Sequence, residues 1–413
     1  MKQIIAVVIG LAIISSVGCS ISSSKRKDKK MTKSAYEEET YGFDMAFFKA
    51  HNLNCLELTD GTGAGVLVSP ELQGRVMTST VNGPSGNSFG WINYDLFKSG
   101  KLNEQFNPFG GEERFWLGPE GGPFSIYFKE GAEQVFENWK VPAVIDTEPF
   151  DVKKQTKGSV TFEKNMQVVN ASGFKFEVGI ERTISLMSID QLESELKMEI
   201  PDESVNVVVY QSENKITNVG NQAWTKENGL LSIWLLCMFN PSPTTTVFIP
   251  FKEEGDGVVV NDEYFGKVPA NRLIVEEGMV YFKIDGEYRS KIGIPPFRAK
   301  EICGSYDSKK KVLTLLWCSL PDEPKEYVNS NWGDQEDPYS GDAVNSYNDG
   351  PVDGKIMGPF YEIETSSPAA DLQPGQSLVH KQRVIHIQGE ESELTKILQY
   401  VINVDIETIK SNF

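Results

Sequence analysis

The chain has 413 residues, with 58 acidic side chains against 40 basic ones and a formal net charge of −18. So acidic a surface argues against nucleic acid and anionic membrane faces as partners. The length is enough to bury a sizeable core and permits one large domain or two intimate ones.

Lys2 gives a short positive start, Ile4 to Ile14 is an apolar run, and Ser16-Val17-Gly18-Cys19 follows. The run is too short to span a bilayer and has the form of a signal peptide over residues 1–18. Its last four residues resemble a bacterial lipobox, in which Cys19 is lipidated; an ordinary signal peptide cut nearby is the alternative. Residues 19–40 read as a flexible tether, polar and basic over Ile21 to Lys33. The expected location is the cell envelope, periplasmic or surface-exposed, with membrane contact through the N-terminal lipid alone. Cys237 and Cys318 sit in dense apolar runs and are expected as buried thiols. No Cys-x-x-Cys or Cys/His pattern is present, so neither a metal nor another cofactor is assigned.

Along the remaining chain, Tyr41 to His51 reads as a short helix or irregular lead-in. After it the pattern has period two, and the segments around Val66 to Val68 and Arg75 to Thr80 are strand candidates. From Phe106 to Phe128, two Gly pairs bracket Glu112, Glu113, Arg114, Trp116 and Glu120. Glycines there let the backbone approach a neighbour closely, either in a plain connector or in the wall of a site. Phe174, Phe176, Val178 and Ile180 alternate with charged residues, and the same parity puts Arg182 on the apolar face. An arginine there must pair with a carboxylate or open into a cavity. Val205 to Val219, Leu230 to Phe239, Thr245 to Phe251, Met279 to Ile284, Ala299 to Tyr306 and Lys311 to Leu320 are further strands. The nearly unbroken apolar runs among them suit strands covered on both faces. Leu394, Ile397, Leu398, Val401 and Ile402 recur at helical spacing, a docking helix. Many strands, few helices and no βαβ alternation give an all-β sandwich, taken as one domain over residues 41–413.

Asn329 to Gly375 opens as a long polar loop holding Trp332, Asp334, Gln335, Tyr339, Asp342, Asn345, Tyr347 and Asn348. It then becomes a strand from Phe360 to Thr365. Disordered tracts lack aromatics, so an ordered functional loop is expected. Rings and amide or carboxylate groups suit a sugar, whose C–H face stacks while its hydroxyls take paired hydrogen bonds. The acidic cluster of Asp334, Glu336, Asp337 and Asp342 reads as solvated loop charge.

The order of parts resembles the galactose mutarotase-like (aldose 1-epimerase-like) superfamily. Glu364-Thr365, Pro368-Ala369, Leu372-Gln373-Pro374-Gly375-Gln376 and His380 look like that family's Glu-Thr-Gln segment, Leu-x-Pro-Gly-Glu turn and last strands. Gly74-Arg75 resembles its N-terminal Gly-Arg. The Gly110 to Trp116 run and Asn345 to Gly350 look like a lipoprotein branch with no assigned function. The resemblance implies a large two-sheet β supersandwich with a C-terminal helix and a sugar cleft on a concave sheet. It implies Glu364 as the base, and strand parity sets Glu362 beside it. The expected substrate contacts are Arg75, Glu113, Arg114, Trp116, Arg182, Trp332, Asp334, Gln335, Tyr339, Asn345, Tyr347 and Asn348. One departure matters: the family's acid histidine has no counterpart after Thr217-Asn218, and His380 matches a non-catalytic position. The expectation is therefore a carbohydrate-binding envelope lipoprotein, with epimerase-like action at Glu364 as its extension. The alternatives are a non-catalytic scaffold module, or a glycoside hydrolase or lyase drawing on Glu362, Glu364, Glu113 and Asp342.

Overall fold

The computed structural model describes residues 35–201, 204–255 and 257–413. The expected signal peptide and lipidated Cys19 lie outside the described residues, as does nearly all of the tether.

Antiparallel sheets dominate the architecture. The largest has ten strands, in the order Leu273–Glu276, Met279–Lys283, Thr245–Pro250, Ile302–Asp307, Val312–Cys318, Ser377–Gly389, Val205–Asn218, Lys175–Leu186, Ser159–Val169 and Asp151–Gln155. A five-stranded sheet packs on it, in the order Ser290–Ile294, Val344–Asn348, Tyr361–Ser366, Ser232–Phe239 and Arg114–Gly118. A three-stranded sheet (Leu56–Thr59, Gly65–Ser69 and Arg75–Thr80) meets the edge of the five-stranded one through paired hydrogen bonds between Val76 and Glu113. The result is the all-β sandwich that the alternating pattern predicts.

The core fills the space between the two main sheets. Phe176, Val178, Ile180 and Ile184 from the large sheet meet Phe115, Leu117, Ile233, Leu235 and Ile363 from the smaller one. The other face of the large sheet is covered too. Leu394, Ile397 and Leu398 of the helix Glu391–Ile402 join Val207, Val209, Leu313, Leu315, Ile385 and Ile387 in a second cluster. That double cover is why Val312 to Trp317 is apolar without alternation.

Sequence and structure differ in places. Val344–Asn348 is a strand rather than part of the loop, paired on one side with Ser290–Ile294 and on the other with Tyr361–Ser366. Its polar alternation, Asn345 and Tyr347 against Val344 and Ser346, serves two faces of different character. A helix at Ile189–Leu196 lies just past the strand signal and is opened by a capping box of Ser188 and Gln191.

Candidate functional site

Strand parity sorts the five-stranded sheet into two faces. The register pairs Lys291 with Tyr347, Tyr347 with Glu362 and Glu362 with Met238. It also pairs Asn345 with Glu364, Glu364 with Leu236 and Leu236 with Arg114. These residues, with Trp116 and Trp234, share the face turned away from the large sheet. The apolar run of Ser232–Phe239 is thus divided: Ile233, Leu235 and Cys237 go to the core, while Trp234 goes to the site.

Glu364 lies at the centre of this face and is 1% exposed. Its Oε2 accepts hydrogen bonds from Lys291 Nζ at 2.8 Å and from Trp234 Nε1 at 2.9 Å. Its Oε1 is buried without a protein partner. Beside it, Arg114 Nη2 donates to Glu362 Oε1 at 2.7 Å, while Arg114 Nε and Nη1 have no protein partner. The Arg114 guanidinium also stacks 4.5 Å over the Trp116 ring. Lys291 lies 5.0 Å from the Trp234 ring centre and 5.4 Å from that of Tyr264. Tyr264 donates to Asp342 Oδ2 at 2.5 Å and accepts from Asn345 Nδ2 at 3.0 Å.

A third carboxylate joins from the loop after Gly118. Glu120 hydrogen-bonds Trp332 and interacts electrostatically with Lys291, Glu364 and Arg289. The neighbouring glycines permit this approach: an added side-chain carbon at Gly121 would collide with the Asn331 backbone, and one at Gly122 with Gln335. The Trp332 loop rests on a stretch of bare backbone.

Burial shapes the protonation of this cluster. Loss of solvent pushes Glu120 up to about 7, with the nearby Glu364 adding to the rise. Burial pushes Glu362 up to about 7 as well, against the pull of Arg114. Lys291 goes the other way from a simple buried amine: desolvation disfavours its charge, but Glu364 outweighs that and its pKa is raised. Burial lifts Asp342 to about 6. The cluster therefore combines Glu364, paired to Lys291, with Glu362, paired to Arg114, and Glu120, the latter two raised by burial to about 7, the equipment of general acid–base chemistry.

Several expected contacts belong elsewhere. Arg182 and Glu113 form a fully buried ion pair at 2.7 Å between the sheets, where Arg182 also donates to Gly74 O and Asn214. Arg182 and Glu113 point into the core, so they brace the sandwich rather than line the cluster. Arg75 is buried on the face opposite Val76, donating to Gly110 O at 2.9 Å and Gln73 Oε1 at 3.0 Å; it acts electrostatically on Arg114 and its Nε has no protein partner. Asn348 faces away from Tyr347 and ties down the 285–288 turn. Tyr339 is buried, stacked on Phe124 and donating to Lys226 O. Gln335 donates to Asn329 O and Asn331 O, bracing its own loop, and Asp334 is exposed on it. Glu362, Glu364, Arg114, Trp116, Asn345 and Tyr347 do share one face, and Trp332 reaches it through Glu120.

The histidines lie off this face. His380 Nε2 meets Thr365 Oγ1 at 2.9 Å, and burial pushes it down to about 4, so it stays neutral between the sheets. His386 is held by Glu112 and Thr314 and stacks on Phe89. His51 stacks on Phe47 at the end of the first helix.

Sequence reasoning missed Lys291, Trp234, Tyr264 and Arg289 and left Glu120 out of the site. Lys291 could have been found as the one charge in the alternating Ser290–Ile294 segment. Trp234 was hidden inside an apolar run. A groove of about 610 Å³ adjoins the cluster, lined by Asn261, Lys267, Phe297, Tyr339 and Asp342. Asp342, in its wall, is hydrogen-bonded by Tyr264 of the cluster.

The model of a family of unknown function, DUF6786, matches residues 39–413. No curated protein matches the sequence. Among solved structures, the chain is similar to the Slr1438 protein of Synechocystis sp. PCC 6803, at 13% identity and a TM-score of 0.49 over 82% of this chain and 96% of that one. It is similar to a galactose mutarotase-like protein from Lactobacillus casei ATCC 334, at 12% identity and a TM-score of 0.45, over 81% of this chain and 100% of that one. A galactose mutarotase related enzyme from Lactobacillus acidophilus gives 10% identity and a TM-score of 0.44, over 82% and 97%.

Proposed function

We propose a function from the site itself, because the chain belongs to DUF6786, a family of unknown function: it binds a carbohydrate on the outer face of the five-stranded sheet and acts on it by acid–base chemistry. The observation that carries this reading is the free Oε1 of Glu364, buried on the same sheet face as the partnerless nitrogens of Arg114. A carboxylate held by one oxygen and open at the other is built to take a proton from a ligand hydroxyl. Rings surround it: Trp116, Trp234, Tyr264, Tyr347 and, through Glu120, Trp332. Such rings match the C–H face of a pyranose, and the amide of Asn345 suits its hydroxyls.

Opening and reclosing a hemiacetal removes a proton from the anomeric hydroxyl and returns one to the ring oxygen. In this reading Glu364 takes the first, and Glu120, titrating near neutrality, supplies the second in place of a histidine. Anchorage to the envelope through Cys19 is part of the same proposal, resting on the N-terminal pattern. The test is anomer exchange followed by NMR on freshly dissolved galactose, glucose and galacturonate, with tryptophan fluorescence as a binding readout. Catalysed exchange that disappears in Glu364→Gln supports the reading. Sugar binding without exchange leaves a binding protein, and the absence of both overturns the proposal.

A further inference from the structure

Arg289 stands apart from the other arginines. Each of the six others among the described residues donates at least one hydrogen bond to a protein acceptor. Arg289 donates none, forms no ion pair, and buries its Nε without a partner. Its guanidinium carbon lies over Phe265, 4.0 Å from the ring centre, and Phe265 in turn packs edge-on against Tyr347. Phe265 is 49% exposed, so this arm of the cluster is open to solvent.

The surroundings do not neutralise it. Two carboxylates act on it electrostatically, Glu120 and Asp349, and neither is within ion-pair distance. Asp349 is already committed, accepting from Tyr347 Oη and the Gly358 N–H. Arg114 and Lys291, by contrast, each have a glutamate. A half-buried guanidinium with no carboxylate within ion-pair distance is open to an anion from solution.

Arg289 immediately precedes the strand that carries Lys291 and lies two residues from it. Glu120 interacts electrostatically with Arg289, Lys291 and Glu364 alike, so the unpaired guanidinium and the Glu364 carboxylate flank the same side chain. Resting on the carbohydrate reading above, we infer that the ligand is an acidic sugar, a uronate whose carboxylate docks on Arg289 while its anomeric end lies at Glu364. Guanidinium and carboxylate match in a planar two-point contact, and a single guanidinium balances a single carboxylate charge.

The experiment titrates the full chain, by tryptophan fluorescence and calorimetry, with galacturonate, glucuronate, galactose, glucose and glucose 6-phosphate. The expected result is at least tenfold tighter binding of a uronate than of its neutral counterpart. Arg289→Gln should reduce that ratio to near one, and Arg289→Lys should restore part of it. A circular dichroism melt matched to wild type shows that the variants fold. Equal wild-type affinity for uronate and neutral sugar overturns this inference and leaves the carbohydrate site standing, as does a ratio unchanged in Arg289→Gln. Tightest binding of the phosphate ester, lost in Arg289→Gln, assigns the anion site to phosphate and overturns the uronate. Binding of no saccharide at all removes the carbohydrate reading itself.

Discussion

Lys291 reaches across an entire strand to meet Glu364. The two residues lie on Ser290–Ile294 and Tyr361–Ser366, with Val344–Asn348 between them, yet Nζ and Oε2 are 2.8 Å apart. The link fixes the orientation of the carboxylate, so that Oε2 is occupied and Oε1 is presented. Replacing Glu364 by Gln keeps the shape and a hydrogen-bond acceptor but removes the basic oxygen. Catalysed anomer exchange should fall by about 10²- to 10⁴-fold, the usual worth of a positioned base. Lys291→Met should leave Glu364 buried without its cation and lower both exchange and affinity. Side-by-side NMR exchange rates check both variants. Wild-type rates in Glu364→Gln would remove this residue from the chemistry.

The two carboxylates near neutrality set a pH dependence with a definite sign. Glu362 is raised to about 7 from an ordinary value of 4.5, and Glu120 likewise. Between those values these two groups bind more protons in the folded protein than in the unfolded chain. Their contribution to stability is therefore lost as pH rises from about 4.5 through about 7, while His380, pushed down to about 4, acts in the opposite sense. Urea denaturation between pH 4.5 and 8.5 reads the difference between wild type and Glu120→Gln, which should shift the slope upward and add stability at the alkaline end. A slope unchanged in that variant would show that Glu120 does not titrate in this window.

The sandwich was legible because its strands alternate. Phe176, Val178 and Ile180 announced a face, and Glu364 with Glu362 announced another. The site was only half legible, for a reason visible in Arg182 and Arg114. Both are arginines in strands, both pair a glutamate, and both are buried. Local pattern cannot tell which side of a two-layer sheet faces a partner sheet and which faces loops. That depends on the stacking, and it sent Glu113 and Arg182 inward. Lys291 was missed because it lies far from Glu364 in sequence and becomes its neighbour through strand order, and Tyr264 because it enters from the connection between Pro250 and Leu273, held by Asp342 and Asn345.

The inward ion pair gives a contrasting prediction. Arg182 and Glu113 are both fully shielded, and Glu113 Oε2 also accepts from Gln382 at 2.6 Å. Glu113→Ala strands a guanidinium in the core and should cost about 3–5 kcal/mol in chemical denaturation. Replacing both by well-packed apolar residues, Arg182→Met with Glu113→Leu, should recover much of that loss. At a temperature where the double variant stays folded, its sugar affinity should match wild type. A large affinity loss in a well-folded double variant would return these residues to the ligand site.

Gly293 offers a steric test of the aromatic wall. It lies on the same face as Lys291, one pleat along, and a side-chain carbon there would run into the Asp342 carboxylate and crowd Asn345 Nδ2. Asp342 orients Tyr264, which also accepts from Asn345 and packs near Lys291. Gly293→Ala should therefore push Asp342 out of contact with Tyr264 and let the tyrosine swing from the lysine. The backbone is ordinary here, so the cost arises from displaced side chains rather than from a strained turn. Sugar affinity should drop at least tenfold, and the titration of Asp342, held near 6 by burial against the pull of the Tyr264 hydrogen bond, should shift once that bond is lost. Calorimetry on Gly293→Ala reads the first effect, and carbon-13 NMR titration of the aspartate carboxyls reads the second. If affinity holds while Asp342 moves, the Tyr264 wall lies outside the ligand's reach.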